Sequence, residues 1–233
     1  MNLILNINKP YGWTSADVVR KLKNVLVHSG MKKEKIGHAG TLDPLATGVL
    51  IVCVGREATK QIDNIQSASK EYLFTVELGA TTPSYDLEHP INARYPWEHI
   101  KEQDVINYTK NIVGEQEQIP PLYSAKKVNG KRAYEIARQD GSAELKPSHI
   151  TIYKCNIENI SLPSVTMKVE CSRGTYIRSI ARDMGVELDS GGYLSELTRT
   201  RSGEFTIENS VSIETAIDIL QKAIDNYKIN HTA

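Results

Sequence analysis

The residues best placed to do chemistry in this chain lie in one loop, Gly37-His38-Ala39-Gly40-Thr41-Leu42-Asp43-Pro44-Leu45-Ala46-Thr47-Gly48, which runs directly into the apolar stretch Val49–Val54. Proline clashes with a helical backbone at the residue before it, so Pro44 pushes Asp43 toward an extended conformation. A strand anchored in a core would hold that carboxylate still. The plainer arrangement is an Asp-Pro turn whose carboxylate bonds its own backbone, and the spacing fits both. Asp86 offers a second carboxylate. Two carboxylates flanking a glycosidic bond would suit a glycoside or nucleoside hydrolase, but that chemistry leaves the basic clusters of the chain unexplained. The glycines of the loop do not make a phosphate cradle, because neither G-x-x-x-x-G-K-[ST] nor G-x-G-x-x-G occurs.

Those basic clusters are local. The 233 residues carry 28 Lys and Arg against 28 Asp and Glu, so no global positive field exists, and a polyanion would have to be met by clustering. Lys32, Lys33 and Lys35 form one group, Lys126, Lys127, Lys131, Arg132 and Arg138 a second, and Arg173, Arg178 and Arg182 a third, followed by Arg199 and Arg201. Each also fits a solvated face. The three cysteines, Cys53, Cys155 and Cys171, are widely spaced and the six histidines show no ligand spacing, which points to reduced thiols in the cytoplasm and to no metal. The longest apolar run is far short of the ~20 residues a spanning helix needs. The start, Met1-Asn2-Leu3-Ile4-Leu5-Asn6, reads as a strand and not as a signal peptide.

The elements that must position these residues follow from periodicity. Strands are expected at Leu3–Ile7, Val49–Val54, Tyr72–Leu78, Ile150–Ile157 and Val165–Cys171, the last with Val165, Met167, Val169 and Cys171 on one face. Helices are expected after the Thr14-Ser15 cap up to Gly30, through Val105, Ile106, Ile112 and Val113, and through Ile177, Ile180, Ala181 and Met184. A C-terminal helix at about 212–227 carries Ile213, Ile217, Leu220 and Ile224 as one apolar stripe. Residues 31–48 lack periodicity, as a functional loop would. The stretch 79–103, with Pro83, Pro90 and Pro96, reads as an excursion off the sheet. Val128-Asn129-Gly130-Lys131 signals a turn, followed by a short helix from Arg132 to Arg138. A chain of this size buries roughly 70–75% of its unfolded surface and needs no staples.

The loop Gly37–Leu50 resembles the signature of the TruB family of tRNA pseudouridine synthases. Asn8-Lys9-Pro10 with Gly12 and Thr14-Ser15, then Lys70-Glu71-Tyr72 ending at Leu78-Gly79, are similar to flanking motifs of that family in the same order. So are Pro120-Pro121-x-Tyr123-Ser124-Ala125 with Gly130, Tyr134, Ala137 and Arg138, and Cys171-Ser172-Arg173-Gly174-Thr175-Tyr176-Ile177-Arg178. The likeness covers roughly residues 5–205, and several ordered motifs are far more specific than one.

The resemblance implies a single α/β catalytic domain, 1–233, of the pseudouridine synthase fold: a mixed, mostly antiparallel central sheet with flanking helices and RNA-binding insertions at about 80–115 and 120–147. It implies isomerisation of uridine to pseudouridine at position 55 in the T-loop of tRNA, without cofactor or metal, by a monomer. Asp43 takes the role of the essential aspartate, Arg178 that of its cationic partner, and Tyr72 that of the tyrosine that stacks on the target base and assists proton removal. His38 would hold the extruded nucleotide and Leu197 would close the pocket. Lys9, Tyr176, Lys126, Lys127 and Lys131 are the further substrate contacts, with the basic stretch Lys126–Arg138 as the element that closes over the RNA.

Two departures stand out. Thr198, in Leu197-Thr198-Arg199-Thr200-Arg201, replaces one of a usual arginine pair, which suggests a missing phosphate contact, and Thr81-Thr82-Pro83-Ser84-Tyr85-Asp86 keeps Asp86 but alters its approach. The residues after Phe205 suffice for one helix, so a C-terminal PUA domain is not expected. The rival functions are a synthase acting on another RNA and a non-catalytic RNA-folding factor, in which Asp43 would only shape the loop.

Overall fold

The structure, a computed structural model, describes residues 1–124, 127–128, 131–132 and 145–231. In chain order the elements are β1 (Leu3–Lys9), α1 (Ser15–His28), β2 (Ile36–His38), β3 (Thr47–Val54), α2 (Arg56–Lys60), α3 (Ile62–Ser67) and β4 (Lys70–Leu78). There follow β5 (Ala80–Thr81), β6 (Ala93–Arg94), α4 (Glu102–Asn111), β7 (Gly114–Gln118), β8 (Lys127–Val128), β9 (Lys131–Arg132), β10 (Ser148–Ser161) and β11 (Ser164–Cys171). The chain closes with α5 (Ile177–Glu187), β12 (Gly192–Ser202), β13 (Phe205–Thr206) and α6 (Ile213–His231). Two compact units contain them, one of Met1–Glu71 with Thr198–Ala233 and the other of Tyr72–Leu197. Among the described residues no helix is long and apolar enough to cross a membrane.

The first unit is built on β3, whose sequence Thr-Gly-Val-Leu-Ile-Val-Cys-Val is buried at every position after Thr47. A strand apolar on both faces must be covered on both. β1 pairs with it antiparallel from Leu3↔Val54 to Lys9↔Gly48. On its other edge β2 pairs antiparallel at Val52–Val54, and the end of β12 pairs parallel, Thr198 opposite Thr47 and Arg199 opposite Gly48. Val49, Ile51 and Cys53 pack with Ala39 and Ala58 under Ile62, Ile65 and Phe205. On the other side α6 packs on α1 and β1, burying Ala216, Leu220 and Ile224 against a helix that buries Val18, Leu22 and Leu26. Each such Leu or Ile contributes about 1.5–3 kcal/mol on leaving water. α1 starts where the sequence expects. Thr14 accepts from the Asp17 amide while the Asp17 carboxylate accepts from the Thr14 amide, a closed capping box.

In the second unit the strand order is β12, β4, β11, β10, β7. β10 and β11 form a long antiparallel hairpin, and β11 buries Val165, Met167, Val169 and Cys171 in strict alternation, as read from the sequence. The excursion after β4 leaves the sheet as expected, with β5 and β6 forming a separate two-stranded ribbon. Trp97 lies against Gly79, where a Cβ would stand 2.7 Å from its ring, so glycine is required for the excursion to fold back this closely.

Three expectations change. The helix expected through Val113 stops at Asn111, and Val113, 45% exposed, precedes Gly114 and the strand β7. Arg132, expected to open a helix, pairs with Lys127 in the β8–β9 ribbon, and the rest of that expected helix lies outside the described residues. β7 and β12 were not expected as strands. Gly-Glu-Gln-Glu-Gln and Gly-Tyr-Leu-Ser-Glu-Leu-Thr-Arg-Thr-Arg-Ser carry no apolar run, and their pairing is supplied by neighbouring strands rather than by their own composition.

Candidate active site

The Asp43 loop leaves β2 and returns to the sheet at β3, and three buried polar side chains from outside the loop grip its backbone. Ser15, the first residue of α1, accepts from the Leu42 amide at 2.9 Å and donates to the Leu42 carbonyl at 3.2 Å. Lys9, at the end of β1 and 0% exposed, donates from Nζ to the carbonyls of Pro44 (3.0 Å), Pro10 (2.9 Å) and Trp13 (2.5 Å). The Gly12 amide also donates to the Pro44 carbonyl at 3.0 Å, which ties the Pro10–Trp13 turn to the tip of the loop. Arg199 of β12, 1% exposed, donates from Nε to the Val49 carbonyl (2.7 Å), from Nη2 to Gly40 (3.1 Å) and from Nη1 to Thr41 (3.4 Å). Within the loop the Ala46 amide donates to the Asp43 carbonyl at 3.1 Å, so Asp43 opens a turn, as the Asp-Pro pair suggests.

This grip brings two buried cations to one loop. Burial pushes the Lys9 ammonium down to about 8, a fall that the Asp43 carboxylate opposes and the Arg199 guanidinium adds to. Burial likewise lowers the His38 imidazole from its ordinary value, Arg199 acting in the same direction and the Gly40 backbone against it. Burial thus favours the neutral imidazole, and among the described residues its buried Nδ1 has no hydrogen-bond partner. Gly48 is obligatory. Its φ is +97°, and a Cβ there would stand 2.2 Å from the Arg199 carbonyl oxygen across the parallel β3–β12 contact.

The second unit presents its own polar cluster. Arg178, on the first turn of α5, is only 5% exposed although the sequence places it off the apolar face of the helix. Its Nε lies 3.7 Å from Oδ2 of Asp86, and Nη1 donates to the Ser84 carbonyl at 3.2 Å. Asp86 in turn accepts from the Ser84 hydroxyl (2.6 Å) and the Glu88 amide (3.0 Å) at Oδ1. Between them Tyr85 adopts φ +58°, a conformation rare for a bulky residue, and the Arg182 guanidinium lies 5.6 Å from its ring centre. Tyr176 caps α5, its amide donating to Gln118 Oε1 and its carbonyl accepting from Gln118 Nε2.

Lys9, His38 and Asp43 thus belong to the first unit, and Tyr72, Tyr176, Arg178 and Leu197 to the second. Tyr72 is 9% exposed on β4, and Leu197 is half-buried on β12. Lys9 differs from the expected substrate contact, because all its ammonium protons face backbone carbonyls inside the fold. Lys127 and Lys131 are described in backbone only, on β8 and β9, and Lys126 lies outside the described residues. Sequence reasoning missed the grip of Ser15 and Arg199. Arg199 looked like one more member of a basic cluster, and only the β12 register, invisible in a strand without an apolar pattern, turns it inward. Thr198, seen as a lost phosphate contact, shares a 2.8 Å hydroxyl–hydroxyl hydrogen bond with Thr47 at the same crossing.

A solved Cbf5–Nop10–Gar1 complex contains a chain to which this one is 30% identical, with a TM-score of 0.69 over 92% of this chain and 53% of that one. An H/ACA RNP bound to a substrate RNA containing 2′-deoxyuridine gives 28% identity and a TM-score of 0.66, again over 92% and 52%. The chain spans about half the length of either. The mostly antiparallel central sheet with its flanking helices is that of the pseudouridine synthase fold. Residues 28–177 match the TruB family pseudouridylate synthase (N terminal domain). Proteins named tRNA pseudouridine synthase B from Parabacteroides distasonis and Bacteroides fragilis are 50% identical over 222 residues (95% of this chain, 94% of that protein) and 52% identical over 206 residues (88% of each). The chain belongs to the TruB family of pseudouridylate synthases.

Proposed function

We propose that the protein isomerises uridine to pseudouridine at position 55 in the T-loop of tRNA, with Asp43 as the catalytic carboxylate. The C1′–N1 bond of the uridine breaks, the base turns, C5 joins C1′, and the C5 proton is lost as N1 gains one, so the product has the atoms of the substrate. An ionised carboxylate serves this chemistry either by attack or by facing positive character at C1′. Either role needs the charge in a fixed place. The observation that carries the reading is the immobilised loop, in which Lys9, Ser15 and Arg199 hold backbone atoms on both sides of Asp43 and so fix where its carboxylate starts from. Membership of the TruB family and the names of relatives about half identical to this chain support the substrate.

A stacked uridine keeps its glycosidic bond out of reach, so the base must leave the helix or loop before it reacts. Loop nucleotides are the least costly to extrude. Tyr72 stacks on the extruded base and assists proton removal, Arg178 acts as the cationic partner of Asp43, and Leu197 closes the pocket. His38, whose neutral form burial favours and whose Nδ1 has no partner among the described residues, holds the nucleotide by hydrogen bonding. Tyr176 completes the base contacts, while Lys126, Lys127 and Lys131 meet phosphates of the T-loop. The protein acts as a monomer in the cytoplasm, a compartment that suits three cysteines outside any disulfide.

Tritium release from a tRNA transcript labelled at uridine C5 tests this directly, because pseudouridine has the mass of uridine. The transcript lacking uridine 55 should release none, and Asp43→Asn should fold, bind tRNA and turn over at least a thousandfold more slowly than wild type. Equal release from both transcripts refutes the position, and turnover of Asp43→Asn within tenfold of wild type refutes the carboxylate.

A further inference from the structure

We propose that Arg199 is the positioning residue of the Asp43 loop: its guanidinium closes the neck of the loop by binding carbonyls on both sides, and so sets where the carboxylate stands during the reaction. The inference rests on the reading of Asp43 as the catalytic carboxylate. The two arms of the fork divide the work. Nη2 and Nη1 hold Gly40 and Thr41, where the loop leaves the sheet, and Nε holds Val49, where it returns. The two ends of the segment that carries Asp43 are thus joined by one planar group. An ammonium presents all its donors from one atom, whereas the planar guanidinium presents them from three and so reaches acceptors on opposite sides of the neck.

The rest of the neck is built to admit that group. β12 runs parallel to β3 with Arg199 opposite Gly48, and the missing side chain at Gly48 lets the two backbones meet. A Cβ on Gly40 would lie 3.6 Å from Nη1, so the first arm is also in close contact with the loop. Thr198, the neighbouring residue of β12, bonds Thr47 and fixes the same crossing. A cation 1% exposed is costly to bury, and all three of its guanidinium nitrogens are directed at carbonyls rather than outward to a phosphate. Lys9 grips the tip of the loop at Pro44, so neck and tip are held by separate cations, and losing Arg199 frees the neck alone.

Arg199→Lys and Arg199→Met separate the possibilities. Methionine fills the volume without a buried charge, a replacement that folds often tolerate, so at least one variant should be folded. Both should bind tRNA within threefold of the wild-type affinity and with an unchanged salt dependence. The single-turnover rate at saturating enzyme should fall by about a hundredfold, the size of effect expected when a reacting group is displaced by an ångström, and lysine should recover only part of it. Wild-type rates overturn the inference. So do weakened binding with a shallower salt slope and an unchanged saturated rate, which would make Arg199 a phosphate contact, and loss of folding in both variants, which would make it a strut of the unit. Asp43→Asn measured alongside keeps the two readings apart: its full activity refutes the role of Asp43, whereas an inactive Asp43→Asn beside active Arg199 variants refutes only the role of Arg199.

Discussion

Asp86→Asn isolates one charge in the second unit. The side chains of Asp86 and Arg178 are 7% and 6% exposed, and the Oδ2–Nε separation is 3.7 Å. At an effective dielectric of 20 two unit charges at that distance attract by about 4–5 kcal/mol before desolvation is counted. Removing one partner of a buried pair costs about 3–5 kcal/mol where nothing else faces the remaining charge, and less where other groups do. The separation is longer than a hydrogen bond, and Arg178 keeps the Ser84 carbonyl, which places this case at the lower end, about 3 kcal/mol. Asparagine retains the Oδ1 that accepts from Ser84 and Glu88, but it turns an amide donor toward a guanidinium donor. For a protein of this size about 3 kcal/mol lowers the thermal midpoint by about 6–12 °C. Thermal unfolding should show that fall, and tritium release at 25 °C, where the variant is still folded, should show slower turnover with tRNA affinity retained. A midpoint within 1 °C of wild type would refute the argument, since it would mean the pair holds nothing. Asp86→Ala, which also strands the Ser84 hydroxyl and the Glu88 amide, should be less stable still.

Lys9 gives a pH dependence. Its proton leaves the folded protein at about 8, and the neutral amine has two N–H groups for three carbonyls, so the reaction rate should fall as pH rises through that value. Between about 8 and 10.5 the unfolded chain holds a proton the fold has lost, so the contribution of Lys9 to stability rises over the same window. A pH–rate profile should therefore lose its alkaline limb in Lys9→Arg, provided that variant folds with the same contacts; an identical limb would assign it elsewhere. Gly48→Ala combines a positive φ with a Cβ 2.2 Å from a carbonyl oxygen and should destabilise the first unit by roughly 3–5 kcal/mol, measured by urea unfolding. Lys127 and Lys131 changed together to Ala should weaken tRNA binding and reduce the slope of log K against log salt by about one per lost phosphate, while the same uridine is modified.

Much of the scaffold was legible because burial and composition agree there. Val49–Val54 could only be a covered strand, Val165–Cys171 only a half-buried one, and the Thr14-Ser15 cap marks a helix start. β12 shows the opposite case. Its buried residues include Gly192, Leu194, Arg199 and Ser202, a set no hydrophobic periodicity reveals, and its place beside β3 and β4 is decided by backbone pairing. The motifs marked Asp43, Tyr72 and Arg178 by likeness, but motif reading is blind to direction. It counted Lys9 as a contact for RNA and Arg199 as part of a basic patch, when both side chains turn into the fold. What decides the direction of a long cationic side chain is which carbonyls lack partners, and that is a property of the assembled backbone.

The grip on the Asp43 loop uses only main-chain atoms of the loop itself: the amide of Leu42 and the carbonyls of Gly40, Thr41, Leu42, Pro44 and Val49. Such a hold does not read side-chain identity. Thr41, exposed at the surface, is free to diversify under mutation while the geometry of the turn is preserved, whereas Leu42 and Ala46 are constrained only by the space they fill. The loop therefore separates heredity of shape from heredity of chemistry: much of its form is encoded at residues 9, 15 and 199, outside the loop, whereas the reactivity proposed for it rests on the carboxylate at position 43.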